Sequence, residues 1–119
     1  MSQKIEDIKV WQRAIQQSVA IYRLTESFPK QEMYGLSSQF QRAAVSVASN
    51  IAEGRGRLSK GEFRQFLGMA QGSNYEVQTQ LYIAQELGIG SSSWLQEAQK
   101  FNIEVGKMLT AFIATVSEN

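Results

Sequence analysis

From Tyr34 to Arg57 the chain carries two parallel lines of side chains, and this segment constrains the fold more than any other. Wound at about 100° per residue, it sets Leu36, Phe40, Ala43, Ala44, Val47 and Ile51 on one helical face. Gln39, Arg42, Ser46, Asn50 and Glu53 fall on a second line roughly 120° away. An apolar stripe beside an ordered polar ladder predicts a helix that buries one face against neighbours and keeps polar side chains along a seam. Strand-like alternation is scarce elsewhere, and Pro29 is the only proline. An all-α chain follows.

Three further helices can be read around this one. The first runs from about Asp7 to Ser27, with Ile8, Trp11, Ile15, Val19 and Tyr22 as its core stripe, and Pro29 stops it. The second starts between Tyr34 and Ser37 and ends at Gly54, where a left-handed cap is expected. Ser59 followed by Glu62 fits a capping box, so the third starts there and runs to Leu87 with Gly88 as its stop. Ser93 followed by Gln96 repeats the box, and the fourth continues to about Val116 on a stripe of Leu95, Ala98, Phe101, Val105, Met108, Leu109, Phe112 and Val116. Helices of ~30 to 43 Å joined by short connections favour antiparallel neighbours. The expected fold is a single domain over residues 1–119, an antiparallel up-down-up-down four-helix bundle.

The first helix has more apolar surface than one core requires. Val10, Ala14, Ile21, Leu24 and Phe28 make a second stripe about 130° from the first. It serves either a wide core-facing surface or a contact with another chain, since a contiguous exposed patch marks an interface. Self-association through Val10, Ala14, Ile21 and Leu24 is the expectation.

On the third helix Phe63, Phe66, Leu67, Ala70, Val77, Leu81 and Ala84 define the core side. Ser73, Glu76 and Gln80 lie on its flank, in line with Met69 and Leu87, which predicts partial burial. A half-buried Glu76 needs a partner. Arg42 is the natural one, with Gln39 and Asn50 completing the hydrogen bonds. The polar set Gln39, Arg42, Asn50, Glu53, Glu76 and Gln80 is either a network that holds helix register or a binding pocket; the register network is expected.

Chemistry is constrained by what is missing. The 119 residues include no histidine and no cysteine, which removes the commonest metal ligands, the thiolate nucleophile and the commonest general base near neutral pH. Gly54-Arg55-Gly56 follows a helix rather than a strand, so it fits no dinucleotide or P-loop pattern. Ser27 and Lys30 have the spacing of a serine–lysine pair, but Pro29 and the helix end argue against it. A non-enzyme without metal or cofactor is expected. The N-terminal residues lack a signal-peptide pattern, and no apolar run approaches the ~20 residues of a membrane span. A cytoplasmic protein without a membrane partner is expected.

Net charge is +1, but the two halves differ. Residues 1 to 64 carry ten Lys/Arg against six Asp/Glu, and residues 65 to 119 carry two against five. That distribution suits head-to-tail contact of like subunits, or weak attraction of a polyanion to one end. Arg55, Arg57, Lys60 and Arg64 gather at the junction of the second and third helices. They are the candidate contacts to RNA or DNA; a solvated loop is the alternative.

The run Val10-Trp11-Gln12, Phe28-Pro29, Tyr34-Gly35-Leu36, Gln39, Arg42-Ala43-Ala44, Ser49-Asn50-Ile51-Ala52-Glu53-Gly54, Gly56-Arg57, Phe63, Phe66-Leu67, Ala70, Gly72-Ser73, Glu76 and Gln80-Leu81 closely resembles one bacterial family. Its members are small four-helix-bundle proteins first noticed as reading frames within intervening sequences of 23S ribosomal RNA. The resemblance covers roughly residues 7 to 90, with Ser-Asn-Ile-Ala-Glu-Gly its most specific piece. Where the family typically has proline before Ser49, this chain has Ala48, which predicts a straighter second helix. The resemblance implies a homo-oligomeric ring, a pentamer. The fold is similar to the accessory protein of diversity-generating retroelements, a more basic pentamer that binds a reverse transcriptase and nucleic acid. The function that follows is a non-catalytic scaffold or adaptor for protein partners, with a weak RNA- or DNA-associated factor as the alternative.

Overall fold

Local chemistry sets both ends of the third helix and the start of the fourth. In a computed structural model that describes residues 4–116, the helices are α1 (Lys9–Glu26), α2 (Leu36–Arg55), α3 (Lys60–Leu87) and α4 (Ser92–Val116). Two short 3-10 turns, Ile5–Asp7 and Lys30–Glu32, precede α1 and α2, and no strand occurs among the described residues. Ser59 caps α3 as the capping-box spacing predicts, its side chain accepting from the Glu62 N–H at 3.1 Å. Gly88 ends α3 in the left-handed region at φ 66°, a conformation that a Cβ would strain. The cap of α4 lies two residues earlier than expected. Ser91, not Ser93, accepts from the Trp94 N–H at 3.3 Å, and the Ser93 hydroxyl pairs with that of Ser91 at 3.1 Å.

Gly54 has a different role from the one its sequence position predicts. Helix α2 continues to Arg55, and its C-cap is Gly56 at φ −82°, an ordinary right-handed value. Gly54 lies buried inside the helix, where a Cβ would stand 2.7 Å from Phe66 Cβ and 3.2 Å from the Phe63 carbonyl. The glycine is needed for close approach of α2 and α3, not for a turn. Alanine here is expected to lower the unfolding free energy by about 1–3 kcal/mol, as overpacking does. Gly72→Ala, which meets open space on exposed α3, is expected to raise it by up to about 1 kcal/mol through helix propensity. Denaturant titration of the two variants measures both signs.

Neighbouring helices run antiparallel, because contacts climb one helix as they descend the next. Across α1 and α2, Ser18 bonds the Ala44 carbonyl and Gln41 bonds Thr25. Across α2 and α3, Ser46 meets Ser73 and Gly54 meets Phe66. Across α3 and α4, Gln71 meets Thr110 and Gln85 meets Gln99. Across α4 and α1, Glu104 meets Arg13 and Ser91 meets Ser27. Each helix therefore packs on two neighbours in the order α1-α2-α3-α4, and α4 closes back onto α1. The result is 47 Å long and 23 by 21 Å across. Helix α2 passes through Ala48 without interruption.

The core corrects the reading of α1. Val10, Ala14, Ile21 and Leu24, expected at an oligomer interface, are buried within the chain, the last three of them completely. Phe28, at the end of the same stripe, packs on Phe40 with ring centroids 5.8 Å apart. The stripe expected in the core is the outer one: Ile15, Val19 and Tyr22 are 39%, 50% and 44% exposed, and only Ile8 at its start is buried. Ala14 and Ala20 are buried on the inner side of α1 with Ile21 and Leu24.

Candidate interaction surfaces

The polar ladder of α2 meets α3 through serine rather than through charge. Ser46 and Ser73 hydroxyls lie 2.9 Å apart, and Asn50 Nδ2 donates to the Ser46 carbonyl at 2.9 Å and to its hydroxyl at 3.0 Å. Gln39, Arg42, Ser46 and Glu76 border a shallow groove of about 290 Å³ over this seam. The structure brings Arg42 and Glu76 to one groove but does not pair them, whereas ion pairs do form at Arg13–Glu104, Arg23–Glu26 and Arg57–Glu53. Arg42 and Glu76 are both exposed, and in water such a pair gains little over its hydration. The partial burial expected for Glu76 does not occur either. Met69 and Leu87, which bracket it, are themselves 50% and 60% exposed, so that line lies outside the core. Glu53 turns toward the end of α2, to Arg57 just beyond the helix at 3.6 Å. Gln80 alone of the set is fully drawn inward, and its Oε1 is buried without a hydrogen-bond partner.

The polar network that does tie helices together was missed. Gln17, Asn74 and Asn102, from α1, α3 and α4, are all buried. Gln17 Nε2 donates to Asn74 Oδ1 at 3.0 Å, and Asn102 Nδ2 donates to Gln17 Oε1 and to the Asn74 carbonyl, each at 3.1 Å. Asn74 Nδ2 returns a bond to the Asn102 carbonyl at 3.1 Å. Each of the three amide nitrogens thus finds the partner that burial demands. A signal was present in the chain: each of the three stands at helical spacing within an apolar line, Gln17 between Ala14 and Ile21, Asn74 between Ala70 and Val77, Asn102 between Ala98 and Val105.

Ser27, half of the spacing considered for a nucleophile, is engaged structurally. Its hydroxyl donates to the Leu24 carbonyl at 2.6 Å and accepts from the Ser91 N–H at 2.7 Å, stitching the end of α1 to the start of α4.

At the α2–α3 junction the basic residues do not act alike. Arg57 lies over the Phe66 ring, 4.5 Å from its centroid, as well as beside Glu53. Lys60 and Arg64 stand exposed, one helical turn apart at the start of α3. Leu58, at the loop tip, is fully exposed.

Two outer faces carry uncovered apolar side chains. One is the α1 stripe of Ile15, Val19 and Tyr22, with Val45 of α2, 42% exposed, across a groove from Tyr22. The other is the groove between α3 and α4, where Tyr75, Tyr82 and Ile103 are 64%, 63% and 57% exposed. Among the described residues no helix is long and apolar enough to cross a membrane.

Four antiparallel helices around one core, crossed by a buried amide network and flanked by two apolar faces, define a four-helix-bundle protein. The description "23S rRNA-intervening sequence protein" belongs to the family model that matches residues 6–111, and this chain is a member of that family. The match takes in α4, beyond the residues whose resemblance is legible by eye. The fold is also that of a crystal structure of a protein with unknown function from the S23 ribosomal protein family of Bacteroides thetaiotaomicron. The two chains are 20% identical with a TM-score of 0.80, covering 89% of this chain and 96% of that one. At that identity the likeness is one of fold. Among curated proteins none matches.

Proposed function

We propose that this protein is a non-catalytic, homo-oligomeric scaffold whose assembled form binds protein partners. The observation that supports it is the α1 stripe. Ile15, Val19 and Tyr22, with Val45 beside them, leave a contiguous apolar surface in water, which is disfavoured unless something covers it. The resemblance supplies the subunit number, five; the stripe replaces Val10, Ala14, Ile21 and Leu24 as the associating surface. Light scattering at micromolar concentration is expected to give five times the chain mass. Val19→Asp is expected to shift the protein toward monomer while changing its unfolding free energy by less than about 1 kcal/mol, since the position is half exposed. A monomer mass for the unaltered protein overturns the reading.

A second reading has an observation of its own. Lys60 and Arg64 are exposed together at one end of the bundle, and in an oligomer they repeat around a rim with Arg55 and Arg57. Weak RNA or DNA binding there is expected to fall steeply with salt, and further in a Lys60→Ala/Arg64→Ala variant. Filter binding at low and moderate salt measures it, and undetectable binding at low salt leaves the protein-scaffold reading alone.

A further inference from the structure

We infer that the α1 stripe of one copy seats in the α3–α4 groove of the next, so that subunits join head to tail. The inference rests on the self-association above and names the surface that receives the stripe. The groove holds two hollows in series, of about 300 and 270 Å³, one beside Tyr75 and one beside Tyr82, with Gln78, Asn102 and Ile103 shared between them. Tyr75 and Tyr82 are one heptad apart, ~10.5 Å along a helix. On α1, Ile15 and Tyr22 are also one heptad apart, with Val19 between them. Side chains at i, i+4 and i+7 of one helix are the set that fills a groove between two others. The periods match, so Ile15 and Tyr22 address the two hollows and Val19 falls near Ile103.

The floor of the groove accepts apolar side chains. Asn74 and Asn102 form it, and their amides are already bonded to each other and to Gln17. An incoming side chain leaves those bonds intact, and Asn102 Oδ1, which accepts no bond among the described residues, is left as an acceptor for the Tyr22 hydroxyl.

The occupant is a second copy rather than the chain's own α1. Because the helices pack in cyclic order, the α1–α2 face and the α3–α4 face lie on opposite sides of the bundle. Charge selects the head-to-tail arrangement over a two-fold one. Residues 1 to 64 carry ten Lys/Arg against six Asp/Glu, and residues 65 to 119 carry two against five. A two-fold contact of α1 on α1 sets like halves together, whereas head-to-tail contact sets unlike halves together.

The absence of cysteine makes the test direct. Val19→Cys and Ile103→Cys proteins are prepared separately, mixed and oxidised, then resolved on a non-reducing gel beside each variant oxidised alone. Both positions are at least half exposed, so the fold is retained. A cross-linked dimer formed in the mixture, and at most weakly by either variant alone, supports the inference. So does a ladder from the double variant that stops at the subunit number found by scattering. Self-cross-linking of Val19→Cys with no gain on mixing overturns it, as does no cross-linking in a sample that scattering shows to be oligomeric; in both cases self-association itself stands. A monomer mass for the unaltered protein removes both readings.

Discussion

Replacing Leu24 by alanine is expected to lower the unfolding free energy by about 2–5 kcal/mol, the range for truncating a buried leucine in a core that relaxes only partly. Leu24 is completely buried, on a helix face that touches both α2 and α4. Tyr22→Ala, two residues away, removes a larger side chain that is 44% exposed, and is expected to cost much less in the monomer. Urea titration of both variants, at a concentration low enough to keep the protein dissociated, measures the contrast. Equal effects, or a larger effect at Tyr22, would show that the outer stripe carries the core.

The second large effect is expected at the buried amides. Asn102→Ala leaves Gln17 Oε1 without its donor and opens a cavity where α1, α3 and α4 meet. A stranded buried acceptor and a cavity together are expected to cost about 2–4 kcal/mol. Replacing Gln17, Asn74 and Asn102 together by leucine or methionine is expected to recover much of that loss, because no amide is then left unpaired. If the network holds register, the triple variant unfolds less cooperatively and its amide NMR spectrum loses dispersion even as stability returns. A single mutant as stable as the parent would remove the network from the energetic account.

Most of the architecture was legible from spacing alone. The apolar line of α2 from Phe40 to Ile51, the Ser59 cap and the Gly88 stop are local features, set by side chains within one or two turns of each other. Local physics is also why the helix ends differ from expectation by only a residue or two, as at Ser91 and Arg55. Of the polar ladder on α2, Ser46 bonds across to α3, while Gln39, Arg42 and Glu53 are exposed. Its chemistry was not legible from spacing, because whether Arg42 and Glu76 pair depends on how far they stand from the core, and the smaller Ser46 and Ser73 hold the contact instead.

Residue spacing along the chain sets four helices and their order, and a run of residues from Val10 to Leu81 marks the family. Which face of α1 points inward is settled by packing between helices. Both stripes are apolar with the same period, and Gln17 makes the true one look the poorer core face. That glutamine is tolerated because Asn74 and Asn102, 57 and 85 residues away in the chain, supply its hydrogen bonds. A helical period reports which side chains share a face, but the partners that make a face buriable come from other helices, so the choice is made when those helices meet.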